Sequence, residues 1–134
     1  MIQEDYVSYK TAKLLKKKGF DEPCEGFYVN SGVLSHTLSN ANNSKWDEEK
    51  YTIGYISAPT LQMAMKWLRE EHDIFIAINI IPNITVTMEQ RYYFFKPYKN
   101  RRIHNFPLDY SIQCYETYEE ACEAGIKYCL KNLI

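Results

Sequence analysis

Glycine is scarce in this chain, and the motifs of most reactive sites are missing from it. Only five glycines occur among 134 residues, which leaves little material for loops that hold nucleotide phosphates. The sequence contains no HExxH, no GxSxG and no paired-aspartate signature. Its histidines are isolated in three separate segments: His36, His72 and His104. We therefore expect a protein that is not an enzyme, with no catalytic residue, no metal site and no cofactor.

His72 is the best candidate for a general base, because histidine titrates near neutral pH. It stands beside Asp73, where a helix pattern gives way to a strand pattern. Histidine at such a junction more often ends a helix and interacts with its last carbonyl groups. We interpret His72 as a helix-ending residue.

The four cysteines, Cys24, Cys114, Cys122 and Cys129, form no CxxC pair. We expect buried thiols in a reducing compartment, without zinc or redox chemistry. The first ten residues are acidic and lack an apolar run, so no signal peptide is expected. No segment approaches the ~18 apolar residues that a membrane span requires. These features predict a cytoplasmic protein that does not bind membranes.

Residues 57–81 predict a helix that runs directly into a strand. Leucine, alanine and methionine recur between residues 61 and 68 at helical spacing, and isoleucines alternate from residue 74 onward. Pro59 suits the first helical turn, and Ser57 or Thr60 could cap it. The strand is apolar on both faces, which predicts a central position in a sheet.

A second helix is predicted over residues 6–18, with Asp5 as its N-cap and Gly19 in the left-handed position that follows it. A turn at residues 30–32 predicts a hairpin between residues 26–29 and 33–36. Residues 37–50 read as a surface loop, in which Trp46 either pins the loop to the protein body or is an exposed contact; the large apolar area of an indole favours pinning.

Further strands are predicted at residues 51–55, 84–88, 91–98 and 110–115, with Pro97 marking an edge or an end. Thr117 begins a closing helix with a capping box, in which Gly125 allows close packing on the sheet. The order helix, strands, helix, strands, helix predicts one α+β domain over residues 1–134. It would have a mainly antiparallel sheet packed against helices in two layers.

Three segments carry a resemblance to a known family: KLLKKKGFDEPCEGFY, APTLQMAMKWLREEH and YETYEEACEAGIKYCLKNLI. Together they resemble the signature blocks of small proteins encoded in gut-bacterial genomes, often beside phage or other mobile-element genes. The resemblance covers about half of the chain and leaves residues 37–50 and 81–109 unmatched. It implies accessory mobile-element cargo, and it implies no activity and no catalytic residue.

Residues 91–104, RYYFFKPYKNRRIH, carry five cations and no acidic residue. Cations interleaved with aromatic rings are typical of single-stranded nucleic-acid binding. If Tyr93 and Phe95 face outward, a binding surface would comprise Arg91, Tyr93, Lys96, Lys99, Arg101 and Arg102. The rings could instead form the core face of a strand, with the arginines in a solvated loop. A chain pI near 6.3 favours that second interpretation.

Exposed tyrosine, tryptophan and arginine are also the usual anchors of protein interfaces. The leading hypothesis is therefore a small accessory protein that binds a protein partner or itself. The alternative hypothesis is a nucleic-acid-binding protein that uses residues 91–104.

Overall fold

The protein has an α+β fold, seen in a computed structural model that describes residues 1–29, 32–35, 42–46, 54–81, 92–104 and 114–134. Within these ranges the chain forms three α-helices and two antiparallel sheets of three strands each. The order of helices and strands follows the prediction, although the strands form two sheets where one was expected. None of the described helices is long and apolar enough to cross a membrane.

The chain divides into two compact units, Met1–Ala64 and Met65–Ile134. The expectation of one domain stays a prediction. The strand predicted at residues 84–88 and the first four residues of the strand predicted at 110–115 lie outside the described residues, and Tyr115 forms an isolated antiparallel bridge with Tyr93.

The sheet of the first unit has the order β2-β1-β3. Strand β1 (Gly26–Tyr28) pairs with β2 (Leu34–Ser35), which confirms the hairpin. On its other side β1 pairs with β3 (Ile56–Ala58). The third strand thus lies at residues 56–58, later in the chain than the predicted 51–55, of which residues 51–53 fall outside the described ranges.

Helix α1 (Tyr9–Lys17) begins three residues later than predicted, and its N-cap is Ser8 and not Asp5. The Ser8 hydroxyl oxygen accepts a hydrogen bond from the Thr11 amide at 3.2 Å. The preceding residues stay extended because the Val7 amide donates to the Pro59 carbonyl at 3.0 Å. This long-range pairing delays the helix.

The end of α1 is as predicted. Gly19 has a φ of +93°, and the Phe20 amide donates to the Leu15 carbonyl at 2.9 Å. This is the Schellman arrangement, in which a left-handed glycine lets the next residue fold back on the last turn.

Trp46 is buried, as predicted, against the rings of Phe27 and Tyr55. A short 3-10 helix, Asn43–Lys45, precedes it. The buried Asn43 side chain donates to the Phe20 carbonyl and accepts from the Ser57 amide, both at 2.9 Å. One amide side chain therefore satisfies two buried backbone groups.

Helix α2 (Leu61–His72) ends where predicted. Thr60 is its cap, because its hydroxyl oxygen accepts from the Met63 amide at 3.2 Å. Ser57 lies in β3, and Pro59 precedes the cap and so lies outside the first turn. Asp73, with a φ of +51°, separates α2 from the strand that follows.

The sheet of the second unit has the order β4-β5-β6, formed by β4 (Ile74–Ile81), β5 (Tyr92–Lys99) and β6 (Arg102–Ile103). In the described residues β4 is therefore an edge strand, where a central one was predicted, and β5 is central. Pro97 was predicted to mark an edge or an end; it lies in the central strand, two residues before that strand ends at Lys99. Its carbonyl accepts from the His104 amide, so its backbone faces away from β4 and its missing N–H removes no hydrogen bond between β4 and β5.

Helix α3 (Tyr118–Asn132) packs on β4 and β5. The Thr117 hydroxyl oxygen accepts from the Glu120 amide at 3.0 Å, which confirms the predicted cap. A Cβ on Gly125 would lie 2.8 Å from Ile76 Cγ2 and 3.2 Å from the Phe95 ring. Glycine therefore lets α3 approach the sheet closely, as the sequence predicted.

We expect Gly125→Ala to destabilise the protein by up to about 2 kcal/mol. Overpacking costs about 1–3 kcal/mol, and the ~1 kcal/mol that alanine gains in helix propensity offsets part of it. Urea denaturation measures the difference. In the background of Ile76→Ala, which removes the opposing methyl group, the same substitution should cost much less. A Gly125→Ala variant more stable than the natural chain would contradict close packing at this residue.

Candidate protein-binding surface

The residues predicted from the basic stretch do not share one face of the second sheet. Phe95 packs against Gly125, so β5 residues of the same parity, Tyr93 and Lys99, lie on the side that α3 covers. Lys96 lies on the opposite face. Arg102 is paired with Lys99 and therefore shares its side. Arg101 lies in the turn, and Arg91 is outside the described residues.

The interpretation in which Phe95 faces outward and stacks on nucleic-acid bases is wrong. Its ring is 3% exposed and lies 6.3 Å from the Tyr115 ring and 5.8 Å from the Tyr128 ring. Tyr93 is half-buried, with its ring 6.2 Å from that of Tyr118. The alternative interpretation, in which these aromatic rings serve the core, is the correct one for Phe95.

The cations of the turn between β5 and β6 have separate roles. The Lys99 ammonium donates to the Leu133 carbonyl at the end of α3, where the helix dipole favours a cation. Asn100 and Arg101 occupy the turn with φ of +53° and +63°. Arg101 and Arg102 are exposed.

The sheet face opposite α3 carries a row of apolar side chains that the sequence analysis did not single out. Phe75 pairs with Tyr98, and Tyr98 pairs with Ile103, so the three lie side by side across three strands. Phe75 and Ile103 are each 56% exposed, and Tyr98 is half-buried. We call Phe75, Tyr98 and Ile103 the open-face row.

Cations lie along the open-face row. The Arg69 guanidinium is 5.7 Å from the centre of the Phe75 ring, and the Lys96 ammonium is 5.8 Å from that of Phe94. Phe94 and Lys96 project from the same face as Tyr98, because alternate residues of a strand share a face. The row therefore combines aromatic area with positive charge.

The strand periodicity does contain a signal for this row. Phe75 alternates with the isoleucines of β4, so it had to lie on the face opposite to theirs. Nothing in the sequence indicated that Ile103, inside a basic segment, would extend that face.

The histidines do not form a reactive site in the described part of the chain. His72 ends α2, as interpreted, and its ring lies 4.7 Å from that of Trp67. His104 packs against Tyr128 at 5.9 Å, and His36 is outside the described ranges. Among the residues described, no group of three side chains is placed to hold a metal ion.

The buried thiols are protonated at neutral pH. The Cys24 thiol donates to the Gly26 carbonyl at 3.3 Å, and burial raises its pKa. Burial also raises the pKa of Cys122 to about 11 and that of Cys129 to about 12. Because the thiolate is the nucleophile, these three cysteines serve packing. Their predicted burial is confirmed, whereas Cys114 is half-buried.

No family model, curated protein or solved structure matches the chain. The resemblance to a mobile-element family thus stays a prediction. The functional proposal therefore rests on the exposed side chains of the described residues.

We expect stability to fall as the pH rises above about 9. In the unfolded chain the thiols lose protons near pH 9, whereas the folded chain holds them until pH 11–12. Rising pH therefore favours the unfolded state, by about 1 kcal/mol at pH 10 for Cys129. Urea denaturation at pH 7.5 and pH 10 measures this effect, and Cys129→Ala should reduce it. An equally steep fall in that variant would contradict the assignment.

Proposed function

We propose that this is a small, non-enzymatic accessory protein that acts by binding another protein or a second copy of itself. The observation that carries the proposal is the open-face row. A cytoplasmic location and a mobile-element context belong to the same proposal, supported by the free thiols and the family resemblance.

The open-face row has the chemistry of an interface. Burying exposed apolar area contributes about 25 cal/mol per Å² to the free energy of binding. A partner that covers the exposed side chains of Phe75 and Ile103 would therefore bind more tightly. Aromatic and arginine side chains dominate the binding energy of protein interfaces. Phe75 under Arg69 supplies both in one place.

The charge around the row indicates the chemistry of the partner. Arg69 lies over Phe75, Lys96 shares the face of Tyr98, and Arg101 is exposed in the turn between β5 and β6, so a partner that presents apolar groups with a carboxylate rim would fit. Charged rims govern orientation and association rate, while the apolar centre governs affinity.

We expect Ile103→Asp to abolish capture of the partner while leaving the fold intact. Its side chain is 56% exposed, so the carboxylate remains hydrated in the free protein and is buried only on binding. Immobilised protein in a lysate of cells that express it, followed by mass spectrometry, measures capture. Val33→Asp is the matched control, because Val33 is 60% exposed and lies in the first unit.

Two results would contradict the open-face row as the binding surface. One is equal capture by the natural chain and by Ile103→Asp. The other is loss of capture in Val33→Asp to the same extent. Circular dichroism of all three proteins confirms that each is folded.

The alternative function is nucleic-acid binding through the β5–β6 turn, and the backbone of Arg101 favours it. A φ of +63° is a conformation that glycine adopts without cost and that other residues adopt at a cost of roughly 1–2 kcal/mol. Arginine at this residue suggests that its side chain is used. Arg102, next to it, is also exposed.

In this alternative, Arg101→Glu/Arg102→Glu abolishes oligonucleotide binding, and binding by the natural chain weakens steeply with salt because counterions are released. Fluorescence anisotropy with labelled single- and double-stranded oligonucleotides at 50 and 200 mM salt measures both. Lys10→Glu/Lys13→Glu is the control, because it makes the same charge change on α1. No binding at 50 mM salt would dismiss this alternative.

A further inference from the structure

We propose that the partner of the open-face row is a second copy of this chain, which docks through an acidic apolar patch at the start of its α3. This inference rests on the proposed function and names the partner of the same surface. We call Ile80, Tyr93, Tyr118, Glu116, Glu119 and Glu120 the acidic patch.

The apolar part of the acidic patch is assembled by β4, β5 and α3 together. Ile80 is paired with Tyr93 across the two strands. The backbone of Tyr93 exchanges two 2.8 Å hydrogen bonds with Tyr115, which brings the start of α3 to this end of the sheet. The Tyr93 and Tyr118 rings then meet edge to face. Ile80 remains 52% exposed and Tyr118 39% exposed.

Three carboxylates lie around this apolar group. Glu116 precedes the N-cap of α3, and Glu119 and Glu120 lie in its first turn. Acidic side chains interact favourably with the helix dipole at that end. All three are exposed. The acidic patch therefore presents apolar groups with a carboxylate rim, which is the chemistry that the open-face row requires.

One chain cannot bring its own two surfaces together. Phe75 lies near the start of β4 and Ile80 near its end, about 17 Å apart at the rise of an extended strand. They also project from opposite faces of the sheet, because they differ in parity. The sheet and α3 hold this separation, so the complementary surface must come from another molecule.

Copies of the chain can satisfy these contacts head to tail. Because the two surfaces lie on opposite faces of the sheet, the open-face row of one chain meets the acidic patch of the next, and the contact is heterologous. Opposite charges face each other at every such contact, and the exposed side chains of both surfaces are buried together. Repetition of the contact builds a ring where the rotation closes and an open filament where it does not.

Charge reversal in purified protein tests this arrangement by sedimentation velocity over a concentration series. The basic-reversed variant is Lys96→Glu/Arg101→Glu, and the acid-reversed variant is Glu119→Lys/Glu120→Lys. We expect the natural chain to associate, and each variant to weaken association about tenfold or more, because like charges would meet. The chain carrying all four substitutions should regain association to within about threefold of the natural chain.

A further variant keeps the test informative if lysines disturb the first turn of α3. Ile80→Asp leaves α3 unchanged and adds a carboxylate to the centre of the acidic patch, and we expect it to weaken association at least tenfold. Val33→Asp is its control, because Val33 is 60% exposed and belongs to the first unit.

The inference is overturned if the natural chain stays monomeric at millimolar concentration. It is also overturned if the chain with all four substitutions associates no better than either charge-reversed variant. Association that Ile103→Asp leaves unchanged would also overturn it. None of these results bears on binding of a different protein. The capture experiment with Ile103→Asp tests that proposed function separately.

Discussion

The close approach of α3 to the second sheet determines how the rest of this unit is arranged. Gly125 leaves no room for a Cβ between the helix and Ile76, so the helix lies directly on one face. It stays there along the whole of β5, from the Tyr93–Tyr118 ring contact to the Lys99 hydrogen bond with Leu133. On the reverse face of the sheet Phe94 is buried, whereas Phe75 and Ile103 are each 56% exposed.

The proposed binding function rests on this division between the two faces. Its thiols are held protonated under α3, and His72 and His104 are used in packing against aromatic rings. Among the described residues of this unit, exposed apolar side chains lie beside cations in the open-face row and beside carboxylates at the start of α3. Those two surfaces differ in charge and in position, which is the basis for proposing that they belong to one interface between copies.

Local interactions were predictable from sequence, whereas interactions between distant segments were not. The Thr117 cap and the Gly19 helix end depend on residues within one turn, and both were predicted correctly. Asp5 was wrongly chosen over Ser8, because Val7 is held extended by a partner more than fifty residues away. The two surfaces were missed for the same reason. Strand periodicity shows that Phe75 and the isoleucines differ in face, but not which face a helix covers.

The two faces of the second sheet differ in exposure, and hydroxyl-radical footprinting of the dilute protein measures that difference residue by residue. Phe75 is 56% exposed and Phe95 is 3% exposed. We expect Phe75 and Ile103 to be oxidised many times faster than Phe95 and Ile76. Equal protection of Phe75 and Phe95 at high dilution would contradict the account, because it would mean that the chain itself covers both faces of the sheet.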